Sequence, residues 1–151
     1  MKRSTALFTL SREHHTALKV AQALVRVESA TARDARDAFL AFMAREGEQH
    51  FQAEESILLP AVNGLFGAED PDIERTLREH AEIRRRAAGL RTAPPDLPSD
   101  EQELRDLGKL LRDHVRHEER TLFPRIEEAL DSNELRRLGE ALDRAGIAPY
   151  C

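Results

Sequence analysis

Aromatic residues, cysteine and long apolar runs are scarce in this 151-residue sequence. Aromatic residues make up 5% of the chain, and tryptophan is absent. No segment alternates apolar and polar residues in the manner of a half-buried strand, which argues against a β-rich fold. The one cysteine, Cys151, has no partner for an internal disulfide, and no apolar run is long enough for a membrane span or a signal-peptide core. These absences predict a cytoplasmic protein without a membrane partner.

The charges are numerous and evenly mixed along the chain. Charged residues make up 34% of the sequence and apolar residues 40%, a balance typical of soluble helical proteins. The 23 Lys and Arg residues face 28 Asp and Glu residues, which gives a net charge of −5. Because acidic and basic residues are interleaved, we expect no basic stripe and no nucleic-acid partner. The length predicts one domain over residues 1–151.

Apolar periodicity and helix-breaking residues predict five helices. They cover about 4–28, 31–62, a third stretch after Pro71-Asp72, about 99–129 and 132–146. A loop is expected at Asn63-Gly64 and from Gly67 to Pro71, and a stiff linker from Pro94 to Ser99. On the third helix, Ile73, Leu77, Ala87 and Leu90 are expected to face inward. Four long helices joined by modest loops predict an all-α, antiparallel (up-down) four-helix bundle over about 4–130, with a short additional C-terminal helix.

An internal repeat is the strongest signal in the sequence. The first half contains Arg12-Glu13-His14, His50, Glu54-Glu55, Leu58 and Pro60; the second contains Arg78-Glu79-His80, His114, Glu118-Glu119, Leu122 and Pro124. Such self-similarity implies two helical hairpins related by an approximate two-fold axis. The two prolines are expected to kink or end their helices beyond the repeated polar residues.

The repeated polar residues lie on the faces that the bundle should bury. His50 and Glu54 are one helical turn apart, and so are His114 and Glu118, so each pair shares a face with the neighbouring apolar residues. With His14 and His80, every core stripe then carries a histidine. Burying four imidazoles and two carboxylates is costly unless cations compensate, and two carboxylates can bridge a pair of metal ions about 3.5–4 Å apart. Such donors suit iron, with manganese or zinc as possible substitutes.

These motifs resemble those of the hemerythrin-like (HHE cation-binding) family over about residues 7–130. The resemblance rests on Leu10 to His14, His50 to Pro60, Glu79-His80 and His114 to Pro124. It implies a hemerythrin-like bundle that holds two iron ions joined by an oxo or hydroxo bridge. The implied ligands are His14, His50, Glu54, His80, His114 and Glu118.

Four residues directly adjoin the implied ligands in the sequence. His15 adjoins His14 and is the alternative ligand of the first helix, although its helical position is off the apolar stripe. His117 has no counterpart in the first half, and we interpret it as a surface histidine or one just outside the ligands. Glu55 and Glu119 follow the ligands directly and are expected to be solvated ion-pair partners of nearby arginines.

The resemblance also implies which functions to expect. The oxygen carriers of the family have a second histidine one turn from that of the third helix, where this chain has Thr76 or Arg84, and their fourth-helix carboxylate is an aspartate. The pattern is closer to members that bind or sense oxygen, nitric oxide or peroxide, or that handle iron; Arg84 is expected near the entrance of the site. The alternatives are a peroxide or nitrogen-oxide reductase, a protein that repairs iron–sulfur clusters, and a metal-free scaffold. Relatives that repair iron–sulfur clusters usually carry an N-terminal segment with cysteines.

Overall fold

The computed structural model describes residues 2–94 and 100–145, and these residues contain five helices and no strand. We call them α1 (Phe8–Val25, after a 3₁₀ turn at Thr5–Leu7), α2 (32–66), α3 (Pro71–Thr92), α4 (101–129) and α5 (Ser132–Arg144). The predicted all-helical fold is therefore confirmed, while the up-down order of the four long helices stays a prediction. Residues 95–99 of the predicted linker, Gly146 and Cys151 lie outside the described residues.

Polar side chains begin most of the helices. Asp70 accepts hydrogen bonds from the backbone N–H groups of Asp72 and Ile73 at the start of α3, and Asp100 does the same for the first turn of α4. Asp131 and Glu134 form a reciprocal capping box at the start of α5. These carboxylates satisfy N–H groups that a helix leaves unpaired in its first turn.

The loop predicted at Asn63-Gly64 is wrong. The helix α2 continues through both residues to Phe66 and ends at Gly67, whose φ of 92° suits glycine. An Asn-Gly pair favours a turn, but apolar residues on both sides of it keep the chain helical here.

Two apolar clusters form the core, and the repeated polar residues separate them along the helices. One cluster includes Leu24, Phe39, Leu107 and Leu111, whereas the other includes Leu10, Leu58, Leu122, Phe123 and Leu138. On α4, His114 and Glu118 stand between Leu111 of the first cluster and Leu122 of the second. The polar centre is therefore enclosed by packed hydrocarbon on both sides.

The predicted inward position of Leu77 is wrong. Leu77 is 43% exposed, and Thr76 is the buried residue at this point of α3. The Thr76 hydroxyl donates to the carbonyl of Asp72 at 2.9 Å, which allows a polar side chain to occupy an inward position. Within the described residues, none of the helices combines the length and the apolar composition that crossing a bilayer requires.

Candidate metal centre

Four helices bring the six predicted ligands to one place inside the protein. His14 comes from α1, His50 and Glu54 from α2, His80 from α3, and His114 and Glu118 from α4. None of the six is more than 6% exposed, and three of them are fully buried. Each helix contributes from the turn predicted by the repeat.

The donor atoms form two groups that share both carboxylates. His14 and His50 form one group with Glu54 and Glu118, and His80 and His114 form the other with the same two glutamates. Within each group, one donor atom from each residue lies within 4.8 Å of the others. All four imidazole Nε2 atoms face these carboxylates, at 3.1 Å (His14), 3.3 Å (His50), 3.2 Å (His80) and 3.4 Å (His114). Two cations side by side, with the carboxylates between them, match this arrangement.

Several of these buried atoms have no hydrogen-bond partner among the described residues. They are the Nε2 atoms of His50, His80 and His114, both carboxylate oxygens of Glu54 and one of Glu118. Their contacts at 3.2–3.4 Å lack the geometry of a hydrogen bond. Orphaned polar atoms cost about 1–3 kcal/mol each, and more when charged. Imidazole nitrogens and carboxylate oxygens are ligands that iron, manganese and zinc accept, so the residues fit a metal pair.

The outer nitrogen of every imidazole is held by a carboxylate from another helix. The Nδ1 atoms of His14 and His80 each lie 2.7 Å from a carboxylate, of Glu119 and Glu55 respectively. The corresponding contacts of His114 and His50 are 3.0 Å to Glu79 and 3.3 Å to Glu13. When Nδ1–H donates to a carboxylate, the Nε2 lone pair is directed inward, the tautomer that a metal ligand requires.

The interpretation of Glu55 and Glu119 as merely solvated ion-pair partners is wrong. Each does pair with an arginine, Glu55 with Arg84 at 2.7 Å and Glu119 with Arg3 at 2.9 Å. Each also accepts a hydrogen bond from a candidate ligand, and this hydrogen bond from His80, together with Arg84, lowers the pKa of Glu55 to about 2. Burial opposes ionisation of Glu119, but the hydrogen bonds from His14 and Ser11 and the positive charges of His14 and Arg3 together outweigh burial, and the pKa of Glu119 also falls to about 2. Both outer carboxylates are therefore anionic at neutral pH.

The inner groups titrate far from their ordinary ranges in the absence of metal. Burial alone would lower the pKa of His80, but its close contact with the Glu54 carboxylate and its hydrogen bond with Glu55 raise the pKa to about 9. Burial likewise opposes the charge on Glu54, yet the adjacent His50 holds the pKa of Glu54 well below its usual value. The pKa of Glu118 is raised by burial and by the neighbouring Glu54 carboxylate. Protons therefore take the place of cations in balancing the buried carboxylates.

Each inner glutamate begins a widened, π-helical turn. The backbone N–H of Leu59 donates to the carbonyl of Glu54, and that of Phe123 donates to the carbonyl of Glu118, five residues back in both cases. Pro60 and Pro124 follow directly, and proline both lacks an N–H and clashes with the carbonyl four residues earlier in an α-helix. The wider turn accommodates them, and α2 and α4 continue to Phe66 and Ala129, so of the two expected effects of these prolines the helix end is excluded.

The neighbouring histidines lie apart from both donor groups. His15 is exposed on the outside of α1. His117 is largely buried, and its Nε2 lies 3.4 Å from Asp72. Burial lowers the pKa of His117, so its ring is neutral. The structure thus places His14, rather than His15 or His117, with the other predicted ligands.

The third helix offers no second nitrogen ligand beside His80. Thr76 is buried with its hydroxyl bound to the chain, and the guanidinium of Arg84 is held by Glu48 and Glu55. A cavity of about 10 Å³, room for roughly one water molecule, lies instead on the side of His14 and His50. Besides these two rings it is lined by His114, Gly47 and mainly apolar side chains.

Comparison with known protein families identifies the family of this chain. The family model of the hemerythrin HHE cation-binding domain matches residues 5–126. The chain belongs to this family. Hemerythrin HHE domains bind cations, and the His and Glu cluster described above fits a metal site.

The name of one relative does not refer to cation binding. This relative is a protein from Nostoc sp. (strain PCC 7120 / SAG 25.82 / UTEX 2576) named "DNA nickase", 33% identical to this chain over 85 residues. The match covers 56% of this hemerythrin-family chain, and the chain spans 24% of the relative's length. No solved structure matches the chain significantly.

Proposed function

We propose that the protein binds two iron ions at this site, and that the centre binds or senses oxygen, nitric oxide or peroxide, or handles iron. The observation that carries the proposal is the sharing of Glu54 and Glu118 by both groups of donor atoms. His14 and His50 would hold one ion and His80 and His114 the other. When bound, the ions would supply redox chemistry and open positions for a small ligand.

The surroundings of the site support a small ligand. The cavity of about 10 Å³ adjoins the rings of His14, His50 and His114, so a molecule in it would touch three candidate ligands. Its volume is close to the minimum for one water molecule, which favours diatomic or similarly small molecules over organic substrates. Glu13 and Glu119 fix the orientation of His50 and His14 on this side.

The donor set favours reaction with oxygen or peroxide over reversible oxygen carriage. Carboxylate donors stabilise higher metal charge, and Thr76 and Arg84 add no neutral nitrogen beside His80. We expect repeated cycles of oxygenation and argon flushing to leave the protein oxidised. Full recovery of the reduced optical spectrum over many cycles would restore the carrier interpretation, and steady consumption of peroxide would favour the reductase alternative.

Elemental analysis tests the metal content directly. Protein purified from iron-replete cells, or loaded anaerobically with ferrous iron, should contain two irons per chain. We expect Glu54→Ala and Glu118→Ala to lose metal from both positions, and His117→Ala to retain it. His117 is the matched control because its side chain is only 7% exposed yet lies outside both donor groups. One zinc per chain, or equal losses in all three variants, would contradict the dinuclear assignment.

A second candidate, cleavage of one DNA strand, is suggested by the name of the Nostoc relative. The observation in its favour is the 33% identity over 85 residues, and paired metal ions are a common means of phosphodiester hydrolysis. Metal-loaded protein incubated with supercoiled plasmid should then produce the relaxed circular form. Relaxation that persists in the Glu54→Ala and Glu118→Ala variants would separate any such activity from this site.

A further inference from the structure

A groove of about 500 Å³ lies on the surface between α1 and α4. Four of its lining residues are cationic: Lys19 and Arg26 from α1, and Arg112 and Arg116 from α4. Partly exposed Leu18 and Val25 also line it, and no acidic side chain of the described residues does. The groove is therefore strongly positive, although the whole chain carries a net charge of −5.

Most of these cations lack a protein partner. Within residues 2–94 and 100–145, Lys19, Arg26 and Arg116 form no ion pair or hydrogen bond through their side chains, and Arg112 contacts only its exposed neighbour Asp113, at 3.1 Å. Arg84, by contrast, is held by two glutamates. The charge in the groove is thus available to an external anion.

Close packing of α1 and α4 brings these cations together. His14 meets Glu118 at one end of the pair, while Gly108 lies against Ala21 at the other, so the helices run in opposite directions. A Cβ on Gly108 would lie 2.8 Å from backbone atoms of α1, so the close approach depends on glycine. Interleaved charges in the sequence predicted no basic stripe, but this packing aligns cations from two distant segments.

The shape of the charged surface favours a repeating anion over a single phosphate. The groove follows α1 from His15 to Arg26, about 16 Å at 1.5 Å per residue. Phosphates along one strand of a duplex are spaced by about 3.4 Å of helix axis, so about five would pass along this length. No aromatic side chain of the described residues lines the groove, so base stacking contributes nothing.

We propose that this groove binds the phosphate backbone of a nucleic acid without regard to sequence. The cations would neutralise about four phosphates and release their counterions, so affinity should fall steeply with salt. This binding goes beyond the proposed metal function and does not require it, because the four cations belong to neither donor group.

Fluorescence anisotropy with a labelled 20-base-pair DNA duplex tests the proposal. For about four contacts, the logarithm of the binding constant should fall against the logarithm of salt concentration with a slope of about −3 to −4. The double variant Lys19→Glu/Arg112→Glu should bind about tenfold or more weakly. The matched control, Arg45→Glu/Arg78→Glu, changes the net charge equally at exposed sites on α2 and α3 and should bind as the wild type does.

Circular dichroism first establishes that both double variants fold. No salt-dependent binding at low ionic strength, equal weakening in both double variants, or binding to anionic lipid vesicles but not to DNA would each overturn the proposal. The double variant Glu54→Ala/Glu118→Ala should bind DNA as the wild type does. Loss of metal binding and loss of DNA binding can therefore be distinguished.

Discussion

Substitution of two adjacent histidines provides a sharp test of the metal centre. His14 is 3% exposed, with Nε2 3.1 Å from Glu118 and Nδ1 2.7 Å from Glu119, whereas His15 is exposed. We expect His14→Ala to reduce the stabilisation that metal gives to the fold, and His15→Ala to leave it unchanged. The two variants remove the same atoms from neighbouring positions, so they form a matched pair.

The expected size follows from binding linkage. A ligand that binds only the folded protein stabilises it by about 2.7 kcal/mol at 100 times its dissociation constant and about 4.1 kcal/mol at 1,000 times. A domain of this size gains roughly 2–4 °C in Tm per kcal/mol. Loading with ferrous iron should therefore raise the wild-type Tm by about 5–16 °C. His14→Ala also removes one partner from each of Glu118 and Glu119, so the informative quantity is the metal-induced shift and not the Tm itself.

Thermal melts followed by far-UV circular dichroism, under anaerobic conditions with ferrous iron or with a chelator, measure this shift. Metal-free protein should remain helical, because the two apolar clusters pack above and below the site. A wild-type Tm that metal does not change would refute the buried metal site. Equal metal-induced shifts in the His14→Ala and His15→Ala proteins would refute the assignment of His14.

Three other predictions concern pH, the outer carboxylates and helix packing. The pKa of His80 is about 9 in the metal-free fold, against an ordinary value of 6.5. The contribution of His80 to stability should therefore be complete below pH 6.5 and be lost as the pH rises through 9, while metal affinity increases over the same range. Urea unfolding with a chelator and metal titrations at both pH values check these opposite trends. Glu55→Gln should weaken metal binding about 10–100-fold, since Glu55 orients His80. The control Glu48→Gln, which alters contacts with Arg84 and Gln52, should not weaken it. Competition with a chelator measures both variants, and equal losses would contradict the orienting role. Gly108→Ala should destabilise the protein by about 1–3 kcal/mol in urea unfolding, because its Cβ would meet α1. The control Gly89→Ala, whose added Cβ meets nothing within 4 Å, should be neutral or slightly stabilising. Similar costs at both positions would refute the close packing of α1 and α4.

The repeat alone was sufficient to predict that the six candidate ligands lie at one site. A histidine and a glutamate one turn apart on an apolar stripe must face the core, and two such pairs on related helices must face each other. Boundaries were less predictable, because Asn63-Gly64 favours a turn locally while the apolar residues around it favour continued helix. The predicted inward position of Leu77 was wrong for a similar reason. Helical periodicity did not distinguish its face from that of Thr76, whose hydroxyl donates to the carbonyl of Asp72.

The outer carboxylates show what periodicity cannot supply. Glu55 and Glu119 point away from the stripe of their own helices, so a single-helix view places them in solvent. Each meets the histidine of a neighbouring helix, Glu119 with His14 and Glu55 with His80, and such pairs depend on how helices are arranged and not on local spacing. The repeated Glu-Glu doublet was the available signal: a first glutamate directed at the shared centre and a second directed at the Nδ1 atom of an adjacent helix's histidine.

The same pairing makes the two halves of the repeat dependent on each other. The group around His14 and His50 includes Glu118 from the second half, and the group around His80 and His114 includes Glu54 from the first. The outer carboxylates of His14 and His80 are exchanged in the same way, through Glu119 and Glu55. Neither hairpin therefore contains a complete donor group, although each carries a complete copy of the motif. A change in one half should accordingly disturb the ligands of the other, which ties both candidate metal positions to the packing of the whole bundle.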